Sequence, residues 1–177
     1  MIEAETKLNS RTVLQGKVLH VCVDEVKLPN GNTAEREVVH HPGAVAILAI
    51  TDDEKIILVE QYRYPCSQTL LEIPAGKLDI QGESPQQCAL RELAEETPYT
   101  AKSVELIYTF YTSAGFSDEK LYLYQAHDLC KNSTALADED EFLQLVMMDK
   151  KEAADALNNG RILDVKTIVA MQYWLSQ

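Results

Sequence analysis

Cysteine, glycine and proline are scarce in this sequence, and long apolar segments are missing. The 177 residues include 4 cysteines, 7 glycines and 6 prolines. No apolar run approaches the roughly 20 residues of a membrane-spanning helix, and the first residues lack the apolar core of a secretory signal. We therefore expect a cytoplasmic protein with no membrane partner.

The cysteines show no pattern of their own. They are Cys22, Cys66, Cys88 and Cys130, and no two of them form a CxxC pair. This spacing fits neither a zinc site nor a dense disulfide framework. We expect buried, reduced thiols.

Positive charge is scarce as well. The sequence has 16 lysines and arginines against 28 aspartates and glutamates, which gives a formal net charge of −12. Such a surface repels nucleic acid, so no nucleic-acid partner is expected. A small polyanion is not excluded, because bound cations can reverse the local field.

The apolar pattern predicts mostly strands before residue 74. Leu28-Pro29-Asn30-Gly31 is a hairpin signal between strands at 18–28 and 33–39. Apolar runs at 44–50 and 55–59 are typical of strands covered on both faces. Further strands are predicted at 70–73, 104–112, 120–126 and 142–148, and a hydrated acidic loop at 138–141.

The clearest helix signal begins at Ser84. Ser84 and Gln87 can form a capping box, Pro85 suits the first helical position, and Pro98 ends the helix near Thr97. Two more helices are predicted, at 150–158 and 164–174. The predicted fold is α/β (α+β): an α/β/α sandwich with a mixed sheet (43–177), plus a small N-terminal antiparallel hairpin unit (1–42).

Three carboxylates share one face of the 84–96 helix. At about 100° per residue, Glu92, Glu95 and Glu96 fall within one arc. Two such charges about 6 Å apart repel by roughly 3 kcal/mol at an effective dielectric near 20. Hydration of an exposed face is the simpler explanation from spacing alone. The alternative is a seat for hard divalent cations.

The flanking sequence favours a binding site for divalent cations. From Gly76 the chain reads Gly-x6-Glu-x7-Arg-Glu-Leu-x-Glu-Glu-x-Pro-Tyr, which closely resembles the Nudix box, Gly-x5-Glu-x7-Arg-Glu-U-x-Glu-Glu-x-Gly-U, with U aliphatic or aromatic. Other segments resemble the ADP-ribose pyrophosphatase branch of that family: 28–31, 34–39, 41–46, 59–64, 71–77 and 110–119.

The resemblance implies a Mg²⁺-dependent hydrolase, with Mn²⁺ able to substitute. It implies cleavage of ADP-ribose, or a related ADP-sugar, to AMP and ribose 5-phosphate by water. It also implies a homodimer, in which the N-terminal unit pairs with its neighbour and the partner chain helps to build the substrate cleft.

Roles carry over by motif position. The resemblance makes Glu92, Glu96 and the backbone carbonyl of Ala75 metal ligands. Arg91 would orient the carboxylates through a salt bridge with Glu83. The remaining implied site residues are Glu95 (a ligand or bridge), Glu119 (the base or a further ligand, with Asp118 as the alternative base), Arg36, Arg63 and Lys77 (substrate contacts), and Glu72 (in the same cleft, or a structural partner).

Four positions depart from the family pattern. One extra residue between Gly76 and Glu83 puts the reach of Glu83 to Arg91 in doubt. Pro98 replaces a glycine, so the helix must end by another route. Ala114 replaces a proline, which weakens the assignment to ADP-ribose. His40 stands where a carboxylate is frequent, which alters a substrate contact or leaves an exposed strand histidine.

Alternative functions remain open. The substrate alternatives are other nucleoside diphosphate sugars, flavin or nicotinamide dinucleotides, and nucleoside triphosphates. A different class is a non-catalytic Nudix module that senses a nucleotide. Such modules usually lose box carboxylates, whereas this chain keeps Glu92, Glu95 and Glu96.

Overall fold

The computed structural model of the chain describes residues 3–131 and 142–177. The predicted acidic loop at 138–141 lies outside these ranges. The strands within them are β1 (Thr6–Gln15), β2 (His20–Lys27), β3 (Thr33–His40), β4 (Ala44–Leu48), β5 (Ile56–Arg63), β6 (Gln68–Glu72), β7 (Ala75–Lys77), β8 (Thr100–Tyr111), β9 (Lys120–Cys130) and β10 (Gln144–Met148). The helices are α1 (Pro85–Glu96), α2 (Lys150–Asn158) and α3 (Val165–Leu175), with a 3-10 turn at Tyr64–Cys66.

The first compact unit comprises the described part of Met1–Gly43 together with Phe110–Lys120. Its sheet is antiparallel in the order β1-β2-β3. The predicted hairpin is confirmed: Gly31 takes a φ of 87° in the turn between β2 and β3, and its N–H donates to the Leu28 carbonyl at 2.9 Å.

The first unit contains one strand more than the predicted hairpin, because β1 also pairs with β2. All ten residues of β1 are exposed, so this strand has no alternation of buried and exposed positions. Its pairing with β2 also shifts register twice, between Lys7 and Asn9 and between Thr12 and Leu14. Such irregularities conceal the period of two on which a strand prediction depends.

The second unit, Ala44–Thr109 with Leu121–Gln177, holds two sheets. Their strand orders are β7-β4-β9-β8 and β10-β5-β6. Strands β4 and β9 pair in parallel, whereas β4 and β7 pair antiparallel, so the predicted mixed sheet is confirmed. The consecutive apolar strands β4 and β5 belong to different sheets, and an isolated antiparallel bridge joins Ile50, just after β4, to Ile56 at the start of β5.

Strand β4 lies at the centre of the core. All five of its residues are buried. Val45 and Ile47 pack in one cluster with Ala89 and Leu93 of α1. Helix α3 also contacts β4, and alternate residues of a strand face opposite sides. The α/β/α layering predicted for this unit is therefore confirmed.

Helix α1 begins and ends as predicted. The Ser84 hydroxyl and the Gln87 side chain form a reciprocal capping box, and Pro85 is the first helical residue. Thr97 turns the chain out of the helix with extended backbone angles, and its hydroxyl donates to the Leu93 carbonyl at 2.6 Å. The helix thus ends without a left-handed residue, and Pro98 is accommodated.

The expectation of four buried thiols is wrong for two of them. All four cysteines are free, with Cys22 and Cys88 buried and Cys66 and Cys130 exposed. The exposed pair stand at the last residues of the 3-10 turn and of β9, where the chain leaves regular structure. Within the described ranges, no helix is long and apolar enough to cross a membrane.

Candidate active site

Helix α1 brings the carboxylate of Glu92 against the backbone of Gly76 on β7. A Cβ atom added to Gly76 would lie 1.8 Å from the Glu92 Cδ and 2.4 Å from its Cγ. Gly76 is not among the residues with positive φ. Glycine is required here because of close approach, since any larger residue would occupy the space of the carboxylate.

Glu96 reaches the same strand one helical turn later. Its Oε2 accepts a hydrogen bond of 3.0 Å from the Ala75 N–H, and the residue is only 8% exposed. Positions i and i+4 share a helix face. The structure therefore brings together the three residues that were predicted to hold the metal: Ala75, Glu92 and Glu96.

Arg91 joins three carboxylates. Its Nε and Nη2 each donate to Glu83 at 2.9 Å, and its Nη1 lies 2.7 Å from a Glu95 oxygen and 2.8 Å from a Glu92 oxygen. The predicted pair of Arg91 and Glu83 is thus confirmed despite the extra residue. The hydrogen bonds to Glu83 are the main cause that raises the pKa of Arg91, and they lower the pKa of Glu83.

The donor chemistry fits a hard divalent cation. Three carboxylates share one guanidinium, so the group around Arg91 keeps negative charge. Carboxylate and carbonyl oxygens are the ligands that such cations prefer. Across residues 3–131 and 142–177, no group of three or more His, Cys, Asp and Glu side chains is arranged to hold a metal. The fit therefore depends on Glu92 and Glu96 together with the backbone of Ala75.

Cys88, which faces this arginine, is not a nucleophile. Its Sγ lies 3.4 Å from Arg91 Nη2 and the residue is fully buried. Burial raises the pKa of Cys88 to about 12. The thiol therefore stays protonated near neutral pH, which is consistent with the predicted attack by water.

Arg63 and Glu72 form a buried ion cluster with two residues that sequence reasoning missed. Arg63 donates two hydrogen bonds of 2.7 Å to Glu72, which is 1% exposed. Lys166 on α3 also donates to Glu72 and lies 3.1 Å from Asp164. Nothing in the spacing links Glu72 to a lysine 94 positions later. This geometry favours the structural alternative for Glu72.

Arg36 and Lys77 are paired on the surface. Arg36 contacts both carboxylate oxygens of Glu5, at 3.0 and 2.6 Å. The Lys77 Nζ lies 3.7 Å from Asp79. Exposed pairs of this kind contribute little to stability, so both cations can be released to an anionic ligand at low cost.

The two predicted bases differ in their surroundings. Both Asp118 oxygens are engaged, one by the His41 N–H at 2.8 Å and the other by His40 Nδ1 at 2.6 Å. Burial raises the pKa of Asp118, but these hydrogen bonds outweigh burial and lower it overall. Glu119 accepts from Thr112 through Oε2, while its Oε1 lies 3.8 Å from His41 Nδ1. The Glu119 carboxylate therefore takes part in fewer of these hydrogen bonds than the Asp118 carboxylate does. Arg36, Asp118 and Glu119 belong to the first unit, and the other predicted site residues belong to the second.

The chain matches two known protein families. Residues 40–166 match the NUDIX domain, and residues 5–39 match the nucleoside diphosphate sugar hydrolase N-terminal domain. The chain belongs to the Nudix hydrolase family. It is therefore a pyrophosphate hydrolase, and Nudix hydrolases generally need a divalent metal ion.

Named relatives cover nearly the whole chain. The methanol dehydrogenase activator of Bacillus methanolicus is 47% identical over 96% of this chain and 91% of its own length. The ADP-ribose pyrophosphatase of Bacillus subtilis (strain 168) is 45% identical with the same coverage. A crystal structure of an ADP compounds hydrolase superposes with a TM-score of 0.85 at 25% identity, over 99% of this chain and 96% of the other.

The contact of Gly76 with Glu92 generates a first prediction. Gly76→Ala should lower the free energy of unfolding by about 1–3 kcal/mol, the usual cost of overpacking, because even the Glu92 Cγ lies in the way. In a Glu92→Ala background the same change should cost almost nothing. Urea unfolding of the four proteins measures this coupling. Equal costs in both backgrounds would contradict the steric explanation.

The ion cluster around Glu72 generates a prediction on pH. Burial raises the pKa of Glu72, but Arg63 and Lys166 outweigh burial and lower it. A carboxylate with a lowered folded-state pKa stabilises the fold above its unfolded pKa, near 4.3, and loses this contribution as the pH falls through its folded value. Glu72→Gln should therefore cost about 3 kcal/mol at pH 7, and its deficit relative to wild type should shrink below about pH 4.

Urea unfolding between pH 3 and 7 tests this dependence. The matched control is Glu105→Gln, because the Glu105 side chain is 78% exposed. A surface change of this kind should stay within about 0.5 kcal/mol. A deficit of Glu72→Gln that stays constant down to pH 3 would rule out the ion cluster as its source.

Proposed function

We propose that this chain hydrolyses ADP-ribose, or a related ADP-sugar, to AMP and ribose 5-phosphate, with Mg²⁺ as its ion and Mn²⁺ as a substitute. The observation that carries the proposal is the convergence of Glu92 and Glu96 on the Ala75–Gly76 strand. The choice of ADP-ribose is supported by the ADP-ribose pyrophosphatase relative, which is 45% identical over 96% of this chain.

In this proposal Glu92, Glu96 and the Ala75 carbonyl hold the ion. When bound, a divalent ion neutralises the charge of the pyrophosphate oxygens and polarises them. Arg91 keeps Glu92 and Glu95 in place through its contacts of 2.8 and 2.7 Å. Because a carboxylate is otherwise free to rotate, this restraint holds the ligands in the arrangement that the ion needs.

Other residues of the chain bind the anionic substrate and accept the proton. Arg36, Arg63 and Lys77 supply cations for the phosphate and ribose oxygens, and a guanidinium can form paired hydrogen bonds to a phosphate. Arg63 also stays bound to Glu72, which fixes its orientation. Glu119 accepts the proton of the attacking water through Oε1, the oxygen that Thr112 does not engage.

We also propose a cytoplasmic homodimer in which residues 1–42 form the dimerisation unit and residues 43–177 the hydrolase domain. Strand β1 supports this arrangement. It is an edge strand with Leu8, Val13 and Leu14 each more than half exposed, and a second copy would cover these side chains. Sedimentation at micromolar concentration should give about twice the 19.9 kDa of one chain. A particle of one chain's mass would count against the dimer.

A second candidate function rests on the relative named a methanol dehydrogenase activator, which is 47% identical over 96% of this chain. Such activation could arise from hydrolysis at the candidate site or from binding to the dehydrogenase, and the Glu96→Gln protein separates these two modes of action. Stimulation of a methanol dehydrogenase by wild type but not by Glu96→Gln would assign the effect to hydrolysis. Equal stimulation would assign it to binding.

The main proposal is tested by product release from a substrate panel with Mg²⁺. Wild type should release AMP from ADP-ribose at least ten times faster than it cleaves a GDP-sugar, a nicotinamide dinucleotide or a nucleoside triphosphate. Glu96→Gln should lower kcat by about a hundredfold or more, since it removes a charge from the ion seat. Glu105→Gln should leave kcat unchanged.

Two outcomes would overturn the proposal. Faster cleavage of another panel member would reassign the substrate while leaving the hydrolase intact. Absence of all hydrolysis with Mg²⁺ or Mn²⁺, together with equal binding of ADP-ribose by wild type and Glu96→Gln, would favour a nucleotide sensor.

A further inference from the structure

His40 and Asp118 lie at the junction of two segments of the first unit. His40 is the last residue of β3, and Asp118 belongs to the loop between β8 and β9. Their side chains meet through His40 Nδ1 and Asp118 Oδ2, which are 2.6 Å apart. The two residues are 78 positions apart in the sequence, so the contact is a tertiary one.

Backbone hydrogen bonds align the same two segments. The Val39 N–H donates to the Phe116 carbonyl at 2.8 Å, and the Asp118 N–H donates to the Val39 carbonyl at 3.2 Å. This is a single parallel bridge, between Val39 and Ser117. So short a ladder is weak by itself, and a side-chain contact at its end therefore matters for the position of the loop.

Asp118 is engaged on both sides of its carboxylate. Besides His40, it accepts a hydrogen bond of 2.8 Å from the His41 N–H. The centroid of the His20 ring on β2 lies 5.6 Å from the centroid of the His40 ring. His40 thus contacts both β2 and the loop, and its hydrogen bond to a carboxylate is stronger than one between neutral groups.

Glu119 follows Asp118 directly. Its N–H donates to the Ser117 hydroxyl at 3.2 Å, and its side chain contacts Thr112. These contacts lie within the loop itself and do not attach it to β3. The attachment comes from Asp118, from the Val39 bridge and from a longer contact of 3.8 Å between Glu119 Oε1 and Nδ1 of His41, the residue after β3.

The type of side chain at position 40 decides whether the interaction with Asp118 is attractive or repulsive. A carboxylate at this position would face the Asp118 carboxylate and repel it. Histidine reverses the sign of that interaction, because it donates a hydrogen bond to Asp118.

We propose that His40 is a positioning residue which, by holding Asp118, fixes the Ser113–Glu119 loop and hence the carboxylate of Glu119 for hydrolysis. The inference deepens the proposed function, since it depends on the role of Glu119 as the base. It also assigns Asp118 to the attachment of the loop and removes it as the alternative base.

The test compares four substitutions of the pair. His40→Ala removes the donor, His40→Glu introduces the repulsion, and His40→Asn keeps an N–H donor close to the position of Nδ1. Asp118→Ala removes the acceptor. His127→Asn is the control, because His127 contacts only Glu105 among the ion pairs of the described residues.

Hydrogen exchange without substrate reports on the loop independently of activity. Peptides that cover residues 112–120 should exchange about tenfold faster in His40→Ala and Asp118→Ala, the loss expected for one charge-assisted hydrogen bond. The same peptides of His40→Glu should exchange at least as fast as those of His40→Ala. His40→Asn and His127→Asn should stay within threefold of wild type. Unchanged exchange in His40→Glu would overturn the attachment.

Kinetics then report on positioning. In His40→Ala and Asp118→Ala, kcat for ADP-ribose should fall about tenfold while KM changes less than threefold, and His40→Asn should restore most of kcat. The double variant should be no slower than the slower single variant, because both changes break one contact. The positioning role would be overturned if the losses of kcat in the two single variants multiplied in the double variant. It would also be overturned if exchange became faster without a fall in kcat. If wild type cleaves no member of the panel, the proposed function fails. The hydrogen-exchange result still shows whether the contact between His40 and Asp118 holds the loop.

Discussion

The close contact between Glu92 and Gly76 is the constraint on which the candidate site depends. It is possible only because position 76 lacks a side chain, and it places a carboxylate on the strand that also receives Glu96. Arg91 then compensates part of the negative charge that this crowding creates. Packing and electrostatics are therefore coupled: the glycine admits the carboxylates, and the arginine makes their proximity tolerable.

The rest of the second unit serves to present this contact. Helix α1 is fixed by its capping box at one end and by Thr97 at the other. Its apolar side packs on the fully buried strand β4, whose neighbour in the sheet is β7. A helix held at both ends and along one side has little freedom to withdraw its carboxylates from β7.

Much of this could be predicted from the sequence, for physical reasons that are local. The bounds of α1 follow from Ser84, Pro85 and Pro98, and the convergence of Glu92 and Glu96 follows from helical periodicity. What escaped prediction depends on distant partners or on irregular pairing. Lys166 contacts Glu72 from 94 positions away, and His40 contacts Asp118 from 78 positions away. Strand β1 pairs with β2 through two register shifts. No local pattern encodes such contacts, because tertiary structure alone creates them.

The pairing of Lys166 with Glu72 also has a consequence for biosynthesis. A ribosome adds on the order of 5–20 residues per second, so the strand that carries Glu72 emerges several seconds before its lysine partner. During that interval Glu72 can pair with Arg63 alone, nine positions away, and must otherwise remain hydrated. The burial of this carboxylate, and with it the docking of β6 against α3, must therefore wait until α3 has been synthesised.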